Sequence, residues 1–92
     1  MEHKIAALRN MLWQMEVEVG LETLPQPQKD VYYAACLVAD DKQLVHSDVV
    51  KHQPILALMS RPTFYRALKS LVEKNLLVHA GPHQDGRYFV KR

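Results

Sequence analysis

Between Ser60 and Leu71 the chain reads Ser-Arg-Pro-Thr-Phe-Tyr-Arg-Ala-Leu-Lys-Ser-Leu, and the side chains in it that could do chemistry are Arg61, Thr63, Tyr65, Arg66 and Lys69. Their chemistry is recognition of an anion. Arginine and lysine neutralise phosphate charge, hydroxyls donate to phosphate oxygens, and a guanidinium can engage a planar acceptor pair with two hydrogen bonds. Arg87 supplies a further guanidinium downstream, just after Asp85-Gly86. The charge is unevenly placed along the chain. Residues 1–58 carry five Lys/Arg against eight Asp/Glu, a net of −3, whereas residues 59–92 carry seven against two, a net of +5. A basic portion beside an acidic remainder orients a protein toward a polyanion. Lys74, Lys91 and Arg92, taken singly, are ordinary solvated surface charges.

Other chemistry finds less support. His3, His46, His52, His79 and His83 share no ligand spacing, and one cysteine without a Cys pair argues against a zinc site. Cys36 lies in an apolar helical pattern and reads as a small core residue. Three glycines make no phosphate-cradling loop, and Asp40-Asp41 reads as an acidic turn closing a helix rather than a catalytic pair. No cofactor, no metal and no enzymatic activity is expected.

The elements that must position the basic residues follow from spacing and caps. Ser60 is a good N-cap, Pro62 suits the first turn, and Phe64, Leu68 and Leu71 recur at helical intervals, which predicts a helix over about 60–74. Leu76 to Ala80 and Arg87 to Val90 read as strands flanking a turn-rich Gly81-Pro82-His83-Gln84-Asp85-Gly86, a hairpin over about 77–91. Upstream, Val31, Ala34, Ala35 and Val38 form one stripe of a buried helix from Gln28 to about Ala39, with Tyr32 and Leu37 beside it. Leu44-Val45 suits a short strand added to the hairpin. Ser47 is the expected N-cap of a short helix at 48–52, and Pro54 breaks it.

The first 24 residues read as a separate element. Ile5, Leu8, Leu12, Met15 and Val19 are spaced three, four, three and four apart, a coiled-coil-like seam over two heptads, and Gly20 is a C-terminal stop. This helix, over 3–20, is expected to pair with its copy in a homodimer, packing back on the body being the alternative. No feature of the sequence decides parallel from antiparallel. Residues 1–24 are therefore taken as a dimerisation or docking element and 25–92 as the body, joined through the proline-containing stretch Leu21 to Gln28.

Ninety-two residues with 48% apolar content suffice for one small core. The absence of an apolar run of membrane-spanning length, and of a secretion signal in Met1-Glu2-His3-Lys4, leads to the expectation of a soluble cytoplasmic protein with no membrane association.

At Thr63-Phe64-Tyr65-Arg66-Ala67-Leu68, then Leu71 and Asn75-Leu76-Leu77-Val78, the chain resembles the winged helix-turn-helix domains of bacterial transcriptional regulators. The Thr-aromatic-Tyr-Arg-x-Leu run is similar to the recognition helix of ferric-uptake regulators. Asp85-Gly86-Arg87 is similar to the wing tip of multiple-antibiotic-resistance regulators. The resemblance covers roughly residues 28–92 and implies a mainly α fold with a small β-hairpin (α+β), extended here by the N-terminal helix. It also implies a sequence-specific regulator bound to double-stranded DNA. Thr63, Tyr65 and Arg66 would approach the major groove or its flanking phosphates, with Arg61 and Lys69 alongside, and Arg87 would reach the minor groove or backbone. The metal-binding dimerisation domain of the first family and the C-terminal dimerisation helix of the second have no counterpart in this sequence. The rival expectation is a winged-helix module that docks another protein through the N-terminal helix, with Met11 and Trp13 at its edge, and has no DNA role. A nucleic-acid-binding subunit without sequence preference is a third.

Overall fold

The structure is a computed structural model and describes residues 1–81 and 86–91. Pro82, His83, Gln84, Asp85 and Arg92 lie outside the described residues, so the readings attached to the 82–85 turn, His83, Asp85 and Arg92 do too. The chain runs α1 (Glu2–Val19), α2 (Gln26–Val38), β1 (Leu44–His46), α3 (Ser47–Lys51), a 3-10 turn (Pro54–Leu56), α4 (Arg61–Glu73), β2 (Leu77–His79) and β3 (Arg87–Val90). It is mainly helical with a small antiparallel sheet, an α+β chain. The strand order is β1-β3-β2, so the strand nearest the chain's middle returns to flank the terminal hairpin. Tyr88 is shared across the sheet, opposite Val45 on one side and His79 on the other.

The helices begin and end where local chemistry says they should. In α4 the Ser60 hydroxyl accepts from the Thr63 N–H at 3.3 Å, satisfying one orphan donor of the first turn. At its far end Asn75 takes φ 61°, and the Leu76 N–H returns to the Leu71 carbonyl at 2.9 Å while the Asn75 N–H meets Val72 at 3.0 Å. That is a Schellman closure, with Asn in the left-handed position that glycine usually holds. Gly20, at φ 79°, closes α1 in the same way, with the Leu21 N–H on the Glu16 carbonyl at 2.8 Å. Asp40 ends the α2 segment by accepting from the Lys42 and Leu44 N–H groups, both at 2.9 Å, which turns the chain into β1.

One expected cap moves. α3 starts at Ser47 rather than Asp48, and its cap is His46, whose Nδ1 accepts from the Asp48 N–H at 3.2 Å. Ser47 is instead buried, with its N–H on the Gly86 carbonyl at 2.7 Å. The physical reason is the sheet. Pairing of His46 with Arg87 fixes His46 at the strand end, so its ring is the group left facing the first turn of α3. Gly86 sits at φ 75° against this corner, where an added Cβ would lie 3.1 Å from Ser47 Oγ.

The core is a sandwich of α2 and α4 closed below by α3, the 3-10 turn and the sheet. Val31, Ala34 and Ala35 of α2 meet Phe64, Leu68 and Leu71 of α4, with Val50, Leu56, Val45, Leu77 and Val90 completing it. Two consecutive alanines, both fully buried, let the α4 backbone approach closely enough for Phe64 to fill the gap. Leu24, from the link between α1 and α2, is buried here as well. Cys36 is half-buried and packs against this cluster.

α1 contributes almost nothing to that core. Its single buried residue is Glu16, a charged one. The Glu16 carboxylate accepts from the Tyr33 hydroxyl at 2.5 Å and from Lys29 Nζ at 3.1 Å, both on α2. These two bonds fasten the C-terminal end of α1 to the body.

Candidate nucleic-acid interface

The face of α4 opposite its core stripe carries the chemistry. Because Phe64, Ala67, Leu68 and Leu71 turn inward, Pro62, Arg66, Lys69 and Glu73 occupy the outermost ridge at spacings of four, three and four. Arg61, Tyr65, Arg66 and Lys69 are all exposed. Among the described residues there are two ion pairs, Lys29 with Glu16 and His46 with Asp48, and neither uses a basic residue of α4. The cations of this helix are therefore not neutralised by carboxylates of the described residues.

Tyr65 organises one edge of the face. Its ring meets Phe64 edge-on at 5.1 Å, which ties it to the core, while Lys51 Nζ stands 5.9 Å and the Arg61 guanidinium 5.5 Å from its centroid. Each cation is attracted by the ring's π-electron density, so Tyr65 positions a charge from α3 and one from the start of α4 beside itself. Lys51, the last residue of α3, was not marked by the sequence reading. The signal that would have found it is its place one turn before the 3-10 segment that folds α3 against the start of α4, a relation that no periodicity reveals.

Thr63 is only partly available. It is half-buried, and its Oγ1 accepts from the Ser60 hydroxyl at 2.8 Å as part of the helix cap, so its contribution is first to the helix start. Together with Arg66 and Ser70 it borders a hollow against Pro25, Pro27 and Gln28 at the start of α2. On the other flank a groove runs between α4 and the sheet, lined by Tyr65, Leu68, Lys69, Val72, Glu73, His79 and Tyr88. His79 and Tyr88 pack there in a tilted ring contact, centroids 4.9 Å apart and planes at 39°. His79 is thus a groove residue beside Tyr65 and Lys69, a placement that strand alternation would yield only once its pairing with Tyr88 is known.

Arg87, expected on the hairpin rather than on α4, lies apart from this group. Side chains alternate along a strand, and with Tyr88 on the groove side Arg87 and Phe89 stand on the opposite face of the sheet. Arg87 is exposed there at the base of the hairpin tip, next to Gly86. The five seam residues of α1, Ile5, Leu8, Leu12, Met15 and Val19, also lie apart from the α4 face and are between 39% and 69% exposed.

Among the described residues no group of three or more His, Cys, Asp or Glu side chains converges on a metal position. Among them, too, no helix is long and apolar enough to cross a membrane. Two groups of the α1 anchor have displaced acid–base behaviour. The Tyr33 hydroxyl, and secondarily Lys29, hold the Glu16 carboxyl below its ordinary value against the opposing effect of burial. Burial, and then the hydrogen bond to that carboxylate, push the Tyr33 phenol up. Both shifts describe a structural fastening and leave the α4 face untouched. Compared with models of protein families, with curated proteins and with solved structures, the chain matches none.

Proposed function

We propose that this chain is a winged helix-turn-helix protein that regulates transcription by binding double-stranded DNA at specific sites. α4 is the recognition helix, and the β2–β3 hairpin is the wing on the minor groove or backbone. The observation that carries the reading is the outward face of α4, where Arg61, Arg66 and Lys69 are exposed and free of ion pairs among the described residues. An α-helix fits the major groove, and an arginine on its outer ridge can engage a guanine edge with two hydrogen bonds. Support also comes from the element order, in which α3 and α4 precede an antiparallel hairpin completed by β1.

The roles divide by position. Arg66 reads a base edge from the outermost ridge. Lys69, Arg61 and Lys51 neutralise flanking phosphates, with Tyr65 holding the last two in place. Thr63 accepts from the capping Ser60 hydroxyl and donates its own hydroxyl proton to a DNA phosphate. Arg87, on the outer sheet face, reaches phosphate or minor groove from the base of the wing, apart from the α4 group. Titration of the protein against duplexes from its own upstream region and a length-matched unrelated duplex tests the proposal. Selective binding that weakens steeply as salt rises is expected. No binding to either duplex at low salt overturns it. That outcome would favour the rival of a protein-docking module, for which the exposed apolar face of α1 is the specific support.

A further inference from the structure

We infer that the hollow between α4 and the start of α2 seats the sugar–phosphate backbone of one DNA strand, with Gln28 and Ser70 binding phosphate as a pair contributed by two helices. The inference rests on the DNA reading of α4 and adds to it a second helix in contact with the duplex. The hollow is bordered by Pro25, Pro27 and Gln28 on the α2 side and by Thr63, Arg66 and Ser70 on the α4 side, and it holds about 290 Å³.

Its chemistry selects an anion. Each polar side chain at its border can donate a hydrogen bond, Arg66 brings a positive charge, and no carboxylate is among the described residues that line it. Two other hollows of the molecule differ in this respect, since Glu16 borders the one under α1 and Glu73 the groove between α4 and the sheet. Gln28 is held in a donating pose. Its Oε1 accepts from Lys74 Nζ at 2.6 Å, so the amide Nε2 with its two protons is the end left over. Ser70 and Lys74 are one turn apart at the end of α4, and Lys74 is both the tether of Gln28 and a second positive charge beside the hollow.

The spacing fits a strand rather than a single anion. Thr63 and Ser70 are seven residues apart on one side of the helix, about 10.5 Å along its axis, so they meet different phosphates. Thr63 takes one near the start of α4, and Ser70 with Gln28 takes another two turns on. An α-helix about 10–12 Å across nearly fills a major groove about 12 Å wide, which brings the backbone of a strand to each flank. The flank of Thr63 and Ser70, with Gln28, meets one strand, and the flank of Tyr65 and Lys69, with Lys51, meets the other. Contacts on both flanks fix how the helix is turned in the groove, and that turn sets Arg66 over base edges.

Anisotropy titration of the full chain against an unrelated duplex at low salt tests this, because phosphate contacts do not depend on sequence. Gln28→Glu keeps the shape of the side chain and sets a carboxylate against phosphate, so affinity should fall about tenfold. Gln26→Glu makes the same charge change on the same helix, beside the α1 hollow instead, and should cost no more than about threefold. Ser70→Ala should cost about threefold with the salt slope unchanged, since a hydroxyl displaces no counterion. An acid in the first turn of α2 stabilises that helix, so Gln28→Glu should melt at or above the wild-type midpoint while its affinity falls, a split that a purely structural role of Gln28 would not give. Equal losses for Gln28→Glu and Gln26→Glu, or a Gln28→Glu protein within about twofold of wild type, overturn the inference and leave the DNA reading to α4. A wild type that binds no duplex overturns that reading and this inference with it.

Discussion

Removing the hydroxyl of Tyr33 is the most informative perturbation of the fold, because α1 hangs on so few contacts. Glu16 is its one buried side chain, with the carboxylate-bearing chain 7% exposed and that of Lys29 13% exposed. Oε2 accepts a hydrogen bond from the Tyr33 hydroxyl at 2.5 Å and Oε1 accepts one from Lys29 Nζ at 3.1 Å. Tyr33→Phe deletes one charge-assisted bond and leaves Oε2 where water enters poorly, a loss of about 1.5–3 kcal/mol. Taken as ~2 kcal/mol in a domain of this size, that lowers the melting temperature by about 8–16 °C. The docking free energy of α1 caps the loss, since a helix that loses more than it gains simply detaches. Denaturant unfolding at pH 7 of wild type, Tyr33→Phe, Glu16→Gln and the double variant gives the coupling directly, and at least ~1 kcal/mol is expected. Hydrogen exchange should show the amides near Glu16 losing protection first. A Tyr33→Phe protein within ~0.5 kcal/mol of wild type, or a coupling near zero, would refute the anchor.

The same cluster sets a pH window. The Glu16 carboxyl is held below its ordinary value of 4.5, so its stabilisation is complete above that pH and is lost as pH falls through the lower folded value. The Tyr33 phenol is raised above its ordinary 10.0, so its contribution is complete below that pH and is lost as pH rises through the higher folded value. Midpoints measured from pH 2 to 12 should form a plateau between the two ordinary values, and Tyr33→Phe should narrow the fall on both sides. On the proposed DNA face, Arg66→Ala should cost about 1–3 kcal/mol on the preferred site and little on unrelated duplex, whereas Lys69→Ala should weaken all sequences and reduce the salt slope by about one. Equal losses on every sequence for Arg66→Ala would remove its base contact. Asn75→Ala forces a left-handed backbone on a residue with no local hydrogen-bonding group, so it should destabilise by ~1 kcal/mol and Asn75→Gly should not, as thermal melts will show. Gly86→Ala combines φ 75° with a Cβ 3.1 Å from Ser47 Oγ, and a loss of about 1–2 kcal/mol is expected by denaturant titration.

Much of the fold was legible because its signals are local. Ser60, Pro62 and the Phe64-Leu68-Leu71 spacing define α4, Gly20 stops α1, and the Leu44 to Val45 strand was placed from two apolar residues after an acidic turn. What escaped reading depends on distant partners. Glu16 occupies a position that periodicity assigns to solvent, and only the fold of α2 brings Lys29 and Tyr33, one turn apart, under it. The exchange of capping roles between Ser47 and His46 follows from a strand pairing forty residues away in sequence. Tyr65 shows the same limit within the site, since its cation partners come from two elements and the spacing named only Arg61. Arg87 was read as a wing residue apart from α4, and which face of the sheet carries it follows only from the β2–β3 pairing.

The central claim is that the cations of α4 bind DNA phosphates and bases. The most direct measurement compares the salt dependence of duplex binding by the wild type and by the combined Arg61→Gln, Arg66→Gln, Lys69→Gln variant, whose exposed substitutions leave the core intact. If all three side chains displace counterions, the slope of log affinity against log salt should fall by about 2.7, and site preference should disappear with it. An unchanged slope with undiminished affinity would contradict the account and remove α4 from the interface.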